Sequence, residues 1–113
     1  MGSYNWETAA AQIGLAEIDF IRMVEVFIRE TEADLKKLQQ ACDLGDSEKT
    51  ALTAHNIKGA ALNMEFDQLA QAAKNLENEA RQGKLESAAR FRTIIEAGLA
   101  EICDSLSLKY RSE

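Results

Sequence analysis

Residues 17–46 read EIDFIRMVEVFIRETEADLKKLQQACDLGD, and this stretch decides the fold. Phe20, Val24, Phe27, Thr31, Leu35, Leu38 and Cys42 recur at three- and four-residue intervals, the spacing that keeps side chains on one face of an α-helix. Ile21 and Ile28 widen the stripe. The stripe predicts one long amphipathic helix beginning near Ala16 or Glu17. It stops at Asp43-Leu44-Gly45-Asp46, where Gly45 can take the left-handed conformation that ends a helix. Asp46 or Ser47 can then cap a following helix by accepting hydrogen bonds from its free N–H groups.

Working outward, the same pattern repeats. A third helix is predicted from about 47 to 64. A fourth, from about 66 to 82, presents Phe66, Leu69, Ala73, Leu76 and Ala80 and closes at Gly83. A fifth, from about 86 to 109, presents Phe91, Ile95, Leu99, Ile102 and Leu106, with Lys109 and Arg111 placed to complement its C-terminal dipole. Ahead of the long helix, a short segment (about 4–13) ends at Gly14 and is expected to pack across one end with Trp6 and Ile13 inward. Connections of two to five residues between long helices force antiparallel neighbours. The expected fold is all-α: an antiparallel up-down four-helix bundle with a short extra N-terminal helix. Residues 4–110 form one domain, and residues 1–3 carry no structural weight.

Composition agrees and excludes several functions. The chain has 113 residues, no proline, and 46% apolar residues, enough for one real core and too few for two substantial domains. Lys and Arg total 13 against 19 Asp and Glu, a formal charge of −6. A nucleic-acid binder must neutralise phosphates with clustered cations, and anionic lipid makes the same demand, so neither partner is expected. No apolar run nears the roughly 20 residues of a membrane span, and the N-terminus does not resemble a signal peptide. Cys42 and Cys103 show no metal-ligand spacing and read as small apolar packers in a reducing, cytoplasmic compartment. With one histidine in the chain, no metal site is expected.

That histidine lies in Ala54-His55-Asn56-Ile57-Lys58-Gly59-Ala60-Ala61-Leu62-Asn63-Met64. The inward stripe of this helix is Thr50, Ala54, Ile57, Ala61 and Met64. At 100° per residue, His55 points about 140° away from it, toward solvent. Lys58, Gly59, Leu62 and Leu52 share the outward half. Gly59 costs about 1 kcal/mol against Ala in a helix interior. Its place one turn after His55 suggests that a side chain has been removed to clear the approach to the imidazole. Lys58 can bring a positive charge to the same space. Leu52 and Leu62, with Asn56, form a frame suited to docking a partner.

A hydrolase would need a nucleophile, an orienting carboxylate and an oxyanion site in a cleft, and Asn56 and Lys58 are the polar neighbours visible in the sequence. An exposed neutral imidazole beside an ammonium can instead accept and pass on a phosphoryl group. The chain would then be a phosphotransfer protein with a phosphohistidine intermediate rather than a stand-alone enzyme. Three other readings remain: a helical adaptor that docks receivers or kinases without being phosphorylated, a general helical interaction domain, and a kinase dimerisation hairpin. The last would want an acidic residue directly after the histidine, where Asn56 stands.

The segment His55-Asn56-Ile57-Lys58-Gly59-Ala60-Ala61-Leu62-Asn63-Met64 resembles the core motif of histidine-containing phosphotransfer (HPt) domains: His, any residue, an aliphatic, Lys, Gly, two small residues, any residue, Asn, an aliphatic. Ile13-Gly14-Leu15 with Phe20…Phe27-Ile28, and Leu69…Ala72-Ala73…Leu76-Glu77…Ala80-Arg81, are similar to the helices flanking that motif. The resemblance implies a phosphorelay intermediate. His55 would carry the phosphoryl group on Nε2, Lys58 would stabilise it, and Gly59 would give the partner's active site room. The implied partners are a response-regulator receiver domain and a sensor or hybrid histidine kinase. No cofactor belongs to this chain, Mg²⁺ being expected in the receiver, and a monomer is expected. One position departs from the family pattern. The glycine common two residues after the motif Asn is replaced by Glu65, followed by Phe66, so the sequence leaves the shape of that turn undetermined.

Overall fold

The computed structural model describes residues 5–111, with side chains described through Leu106. Five helices follow in order: α1 (Trp6–Ile13), α2 (Glu17–Asp43), α3 (Ser47–Asn63), α4 (Asp67–Arg81) and α5 (Ala88–Arg111). No strand occurs among the described residues. α2 packs against α3 and α5, α3 against α4, and α4 against α5, which closes a four-helix ring, while α1 lies on α2. The expected bundle with its extra N-terminal helix is therefore present, α5 starting two residues later than its periodicity predicted. The proposed dipole contacts of Lys109 and Arg111, and the predicted inclusion of Tyr4, lie outside the described side chains and residues respectively. None of the described helices is long and apolar enough to cross a membrane.

Local chemistry sets the breaks. Asn5 caps α1, its Oδ1 accepting from Thr8 N at 3.0 Å, and Asp46 caps α3 in the same way from Lys49 N. Gly45 has a φ of +68°, the left-handed value that only glycine adopts without cost, and turns the chain from α2 into α3. The turn from α3 to α4 reaches the same geometry without glycine. Glu65 has a φ of +60°, Phe66 N donates to Ala61 O at 2.9 Å, and Glu65 N donates to Leu62 O at 3.1 Å, the double bond of a Schellman cap. So the chain makes this turn with a left-handed Glu65 in place of a glycine. Phe66 then points inward and stacks obliquely on Phe27, ring centroids 5.2 Å apart. Relieving the left-handed strain with Glu65→Gly is expected to raise stability by about 0.5–1 kcal/mol, partly offset by the entropy of the added glycine. A denaturant midpoint that falls instead would show that the Glu65 side chain holds the turn.

The interior is filled by the predicted stripes. Phe20, Val24, Leu38, Ile57, Leu76, Ile95 and Ile102 are fully buried, and Phe91, Leu99 and Leu106 nearly so. Leu35 and Ile13 are half-buried against this core, and Trp6 is buried beside Phe20 as expected. Both cysteines are free and half-buried; burial, with Glu32 and Asp104 nearby, pushes the Cys103 thiol up and away from reactivity. At Gly98, on α5, an added Cβ would sit 3.5 Å from Leu69 on α4, an ordinary packing distance.

Candidate functional site

The inward face of α3 places the histidine. Ala54, Ile57 and Ala61 have no exposure, so His55, one residue past Ala54, projects outward with 51% of its side chain exposed. α1, which lies on α2, does not wall it off. The ring is nevertheless held. Nδ1 lies 2.9 Å from Oε2 of Glu77 on α4. An orienting carboxylate, absent from the sequence reading, is therefore present. It was hidden because a helical wheel of α3 cannot reveal a neighbour 22 positions away on another helix.

Glu77 stands on the core face of α4 between Ala73 and Ala80 and is only 3% exposed. A carboxylate there is costly unless its oxygens are hydrogen-bonded. They are. Oε1 receives the Lys58 ammonium at 2.8 Å, and Oε2 accepts from Arg81 Nε at 3.0 Å and from Arg81 Nη2 as well as facing His55. Burial alone would raise the Glu77 pKa. Hydrogen bonds from Lys58, Arg81 and His55, together with the Lys58 charge, outweigh it and lower the value from 4.5 to about 2. Glu77 is thus ionised at neutral pH and can only accept. In the neutral ring, Nδ1 must then carry the proton and Nε2 the lone pair. No described group hydrogen-bonds to Nε2.

This lowered pKa has a stability consequence. The contribution of the ionised Glu77 is fully present above about pH 4.5 and is lost as the pH falls toward about 2. Trp6 fluorescence melts across that window are expected to show a steeper decline for the native chain than for Glu77→Gln. Parallel curves would mean that Glu77 is not specially held.

The other predicted residues are where the helix places them. Lys58 is on the same flank as Glu77 and spends one donor on it. Gly59 is open: a Cβ built there meets nothing within 4 Å, so packing does not require the glycine. Leu52 and Leu62 are 61% and 53% exposed, and Asn56 is exposed between them. On the side of α3 opposite Glu77 runs a shallow, mainly apolar groove lined by Met23, Val26 and Phe27 of α2 and by Ala60, Asn63 and Met64 near the end of α3. Met23 and Val26 are exposed along it, a feature the α2 sequence did not suggest. No cluster of three or more metal-ligating side chains occurs among the described residues. Glu77 and Arg81 carried a readable signal: a carboxylate on an apolar helix stripe, with Arg one turn later, calls for a buried ion-pair arrangement.

A half-exposed histidine, its second nitrogen pinned by a carboxylate, thus stands on the outer face of a closed helical ring. The Hpt domain family profile matches residues 22–106, three quarters of the chain, and the chain belongs to that family. Its function is histidine phosphotransfer within a relay, alongside the kinases and receivers with which Hpt domains work. The chain is similar to the crystal structure of histidine-containing phosphotransfer protein B (HptB) from Pseudomonas aeruginosa PAO1, at 27% identity and a TM-score of 0.82, covering 93% of this chain and 91% of that one. No curated protein matches the chain significantly.

Proposed function

We propose that His55 Nε2 is the phosphoryl acceptor, taking the group from a receiver aspartyl phosphate or a kinase and delivering it to a receiver aspartate. The observation that carries this reading is the Nδ1–Glu77 contact, which leaves Nε2 as the nucleophilic nitrogen on an exposed ring. In the forward step the Nε2 lone pair forms the N–P bond while the aspartyl O–P bond breaks and a carboxylate leaves. The Nδ1 proton stays on the ring. As Nε2 donates its pair, positive charge grows on the imidazole, and Glu77 opposes it across a 2.9 Å contact. Lys58 has three donors, one of them on Glu77, and two remain for phosphoryl oxygens. Positioning and charge neutralisation of this kind are the main demands of phosphoryl transfer.

Mg²⁺ is supplied by the receiver and not by this chain. The receiver docks over Gly59, with Leu52, Asn56 and Leu62 as contacts and the Met23–Val26 groove alongside. The reading places the protein in the cytoplasm as a monomer, its four long helices closing one core. Incubation with a phosphorylated receiver and Mg²⁺ is expected to label the chain with an acid-labile, base-stable phosphate. Absence of labelling by any receiver of the source organism would favour a docking adaptor instead.

Gly59 tests the access argument separately. Gly59→Gln is expected to slow transfer by about tenfold or more while raising stability by up to about 1 kcal/mol, since it replaces a helix-interior glycine facing open space. Transfer at the native rate would remove steric access as the reason for the glycine.

A further inference from the structure

The acidity of Glu77 poses a problem for the reaction just described, and the solution rests on that reading of His55. An isolated carboxylate against Nδ1 orients the ring, but it also stabilises the doubly protonated imidazolium, which has no lone pair to offer. The contact that orients therefore tends to disarm. Arg81 stands where it can correct this. One turn after Glu77 on α4, it donates through both Nε and Nη2 to Oε2, the same oxygen that faces His55, while Lys58 occupies Oε1. Two cations from two helices thus meet one buried anion, and the cluster is net positive when the ring is neutral. No ion pair from α2 or α5 reaches it among the described residues.

We propose that Arg81 is a positioning residue for the His55 reaction that acts through Glu77: it fixes Oε2 for the Nδ1 proton and offsets the carboxylate charge that would otherwise hold a second proton on Nε2. Its side chain is 60% exposed, so its removal leaves no cavity in the core. The fold is expected to survive substitution.

The test uses phosphoramidate, which phosphorylates histidine without a protein partner; Nε2 forms the N–P bond as the donor's P–N bond breaks and ammonia leaves. With Arg81→Gln, ring ¹⁵N NMR at neutral pH is expected to show a larger imidazolium fraction. Phosphoryl uptake relative to the native chain should fall on the order of fivefold at neutral pH and recover in mild alkali, where the extra proton is lost. Arg81→Lys, which keeps the charge, should restore most of the rate. In a Glu77→Gln background, Arg81→Gln should have no further effect, because there is no charge left to offset. Effects that add in that background, or a loss of uptake that is equal at both pH values with unchanged ring protonation, would overturn the proposal and place Arg81 directly on the phosphoryl group. Failure of the native chain to label on His55 would instead remove the underlying reading, so the two failures are distinguishable.

Discussion

Replacing His55 with Gln is expected to abolish phosphoryl uptake outright while leaving the bundle standing. The side chain is half exposed, and its one hydrogen bond among the described residues runs to Glu77, which keeps Lys58 and Arg81 as partners after the change. The loss of stability should stay below about 1 kcal/mol, the usual net worth of one such bond. Helical circular dichroism and the melting curve serve as controls, and radiolabel from a phosphorylated receiver is the readout. No other histidine in the chain can take over, because His55 is the only one. Normal labelling of the variant would show that another side chain is the acceptor.

Glu77→Gln is expected to have the second-largest effect, and it is less selective. The amide offers one acceptor where the carboxylate held four contacts, and it presents N–H donors to cations that need an anion. Without the anion the neutral ring can put its proton on Nε2, which the free side chain prefers, and the charge that grows on the imidazole during transfer is unopposed. Phosphoryl uptake should fall by about tenfold to a hundredfold, a smaller penalty than the loss of the nucleophile itself. Stability should drop by about 1–3 kcal/mol, since two cations lose their partner at a covered position. Ring ¹⁵N shifts separate the two effects: a move from the Nδ1–H to the Nε2–H tautomer in a folded variant is the expected signature. An unchanged tautomer with full activity would reduce Glu77 to a structural ion-pair partner.

The helices and their inward faces were legible because each rests on local spacing. Phe20, Val24, Phe27 and Leu38 on α2, and Ala54, Ile57 and Ala61 on α3, repeat at intervals that only an amphipathic helix satisfies, and the turns at Gly14, Gly45 and Gly83 mark themselves. The placement of His55 followed from the same arithmetic on one helix. The role of Glu77 did not, because it depends on which turn of α4 lies beside which turn of α3, and that register is set by side-chain packing between helices. Glu65 was obscure for another reason. A left-handed residue without glycine is a local cost tolerated because Phe66 must reach the core beside Phe27, and no turn signal in the sequence reports such a compromise. Met23 and Val26 gave no sign of a groove in the α2 sequence, because its other wall, Ala60 and Met64, belongs to α3 and its C-cap.

The central claim is that Nε2 of His55 bonds to phosphorus while Nδ1 keeps its proton against Glu77. Coupled ¹⁵N–³¹P NMR of the ring-labelled, phosphorylated protein reads both atoms at once. A one-bond nitrogen–phosphorus coupling at Nε2, with Nδ1 still protonated, is the predicted result. Coupling at Nδ1, or phosphorus on any residue other than His55, would contradict it.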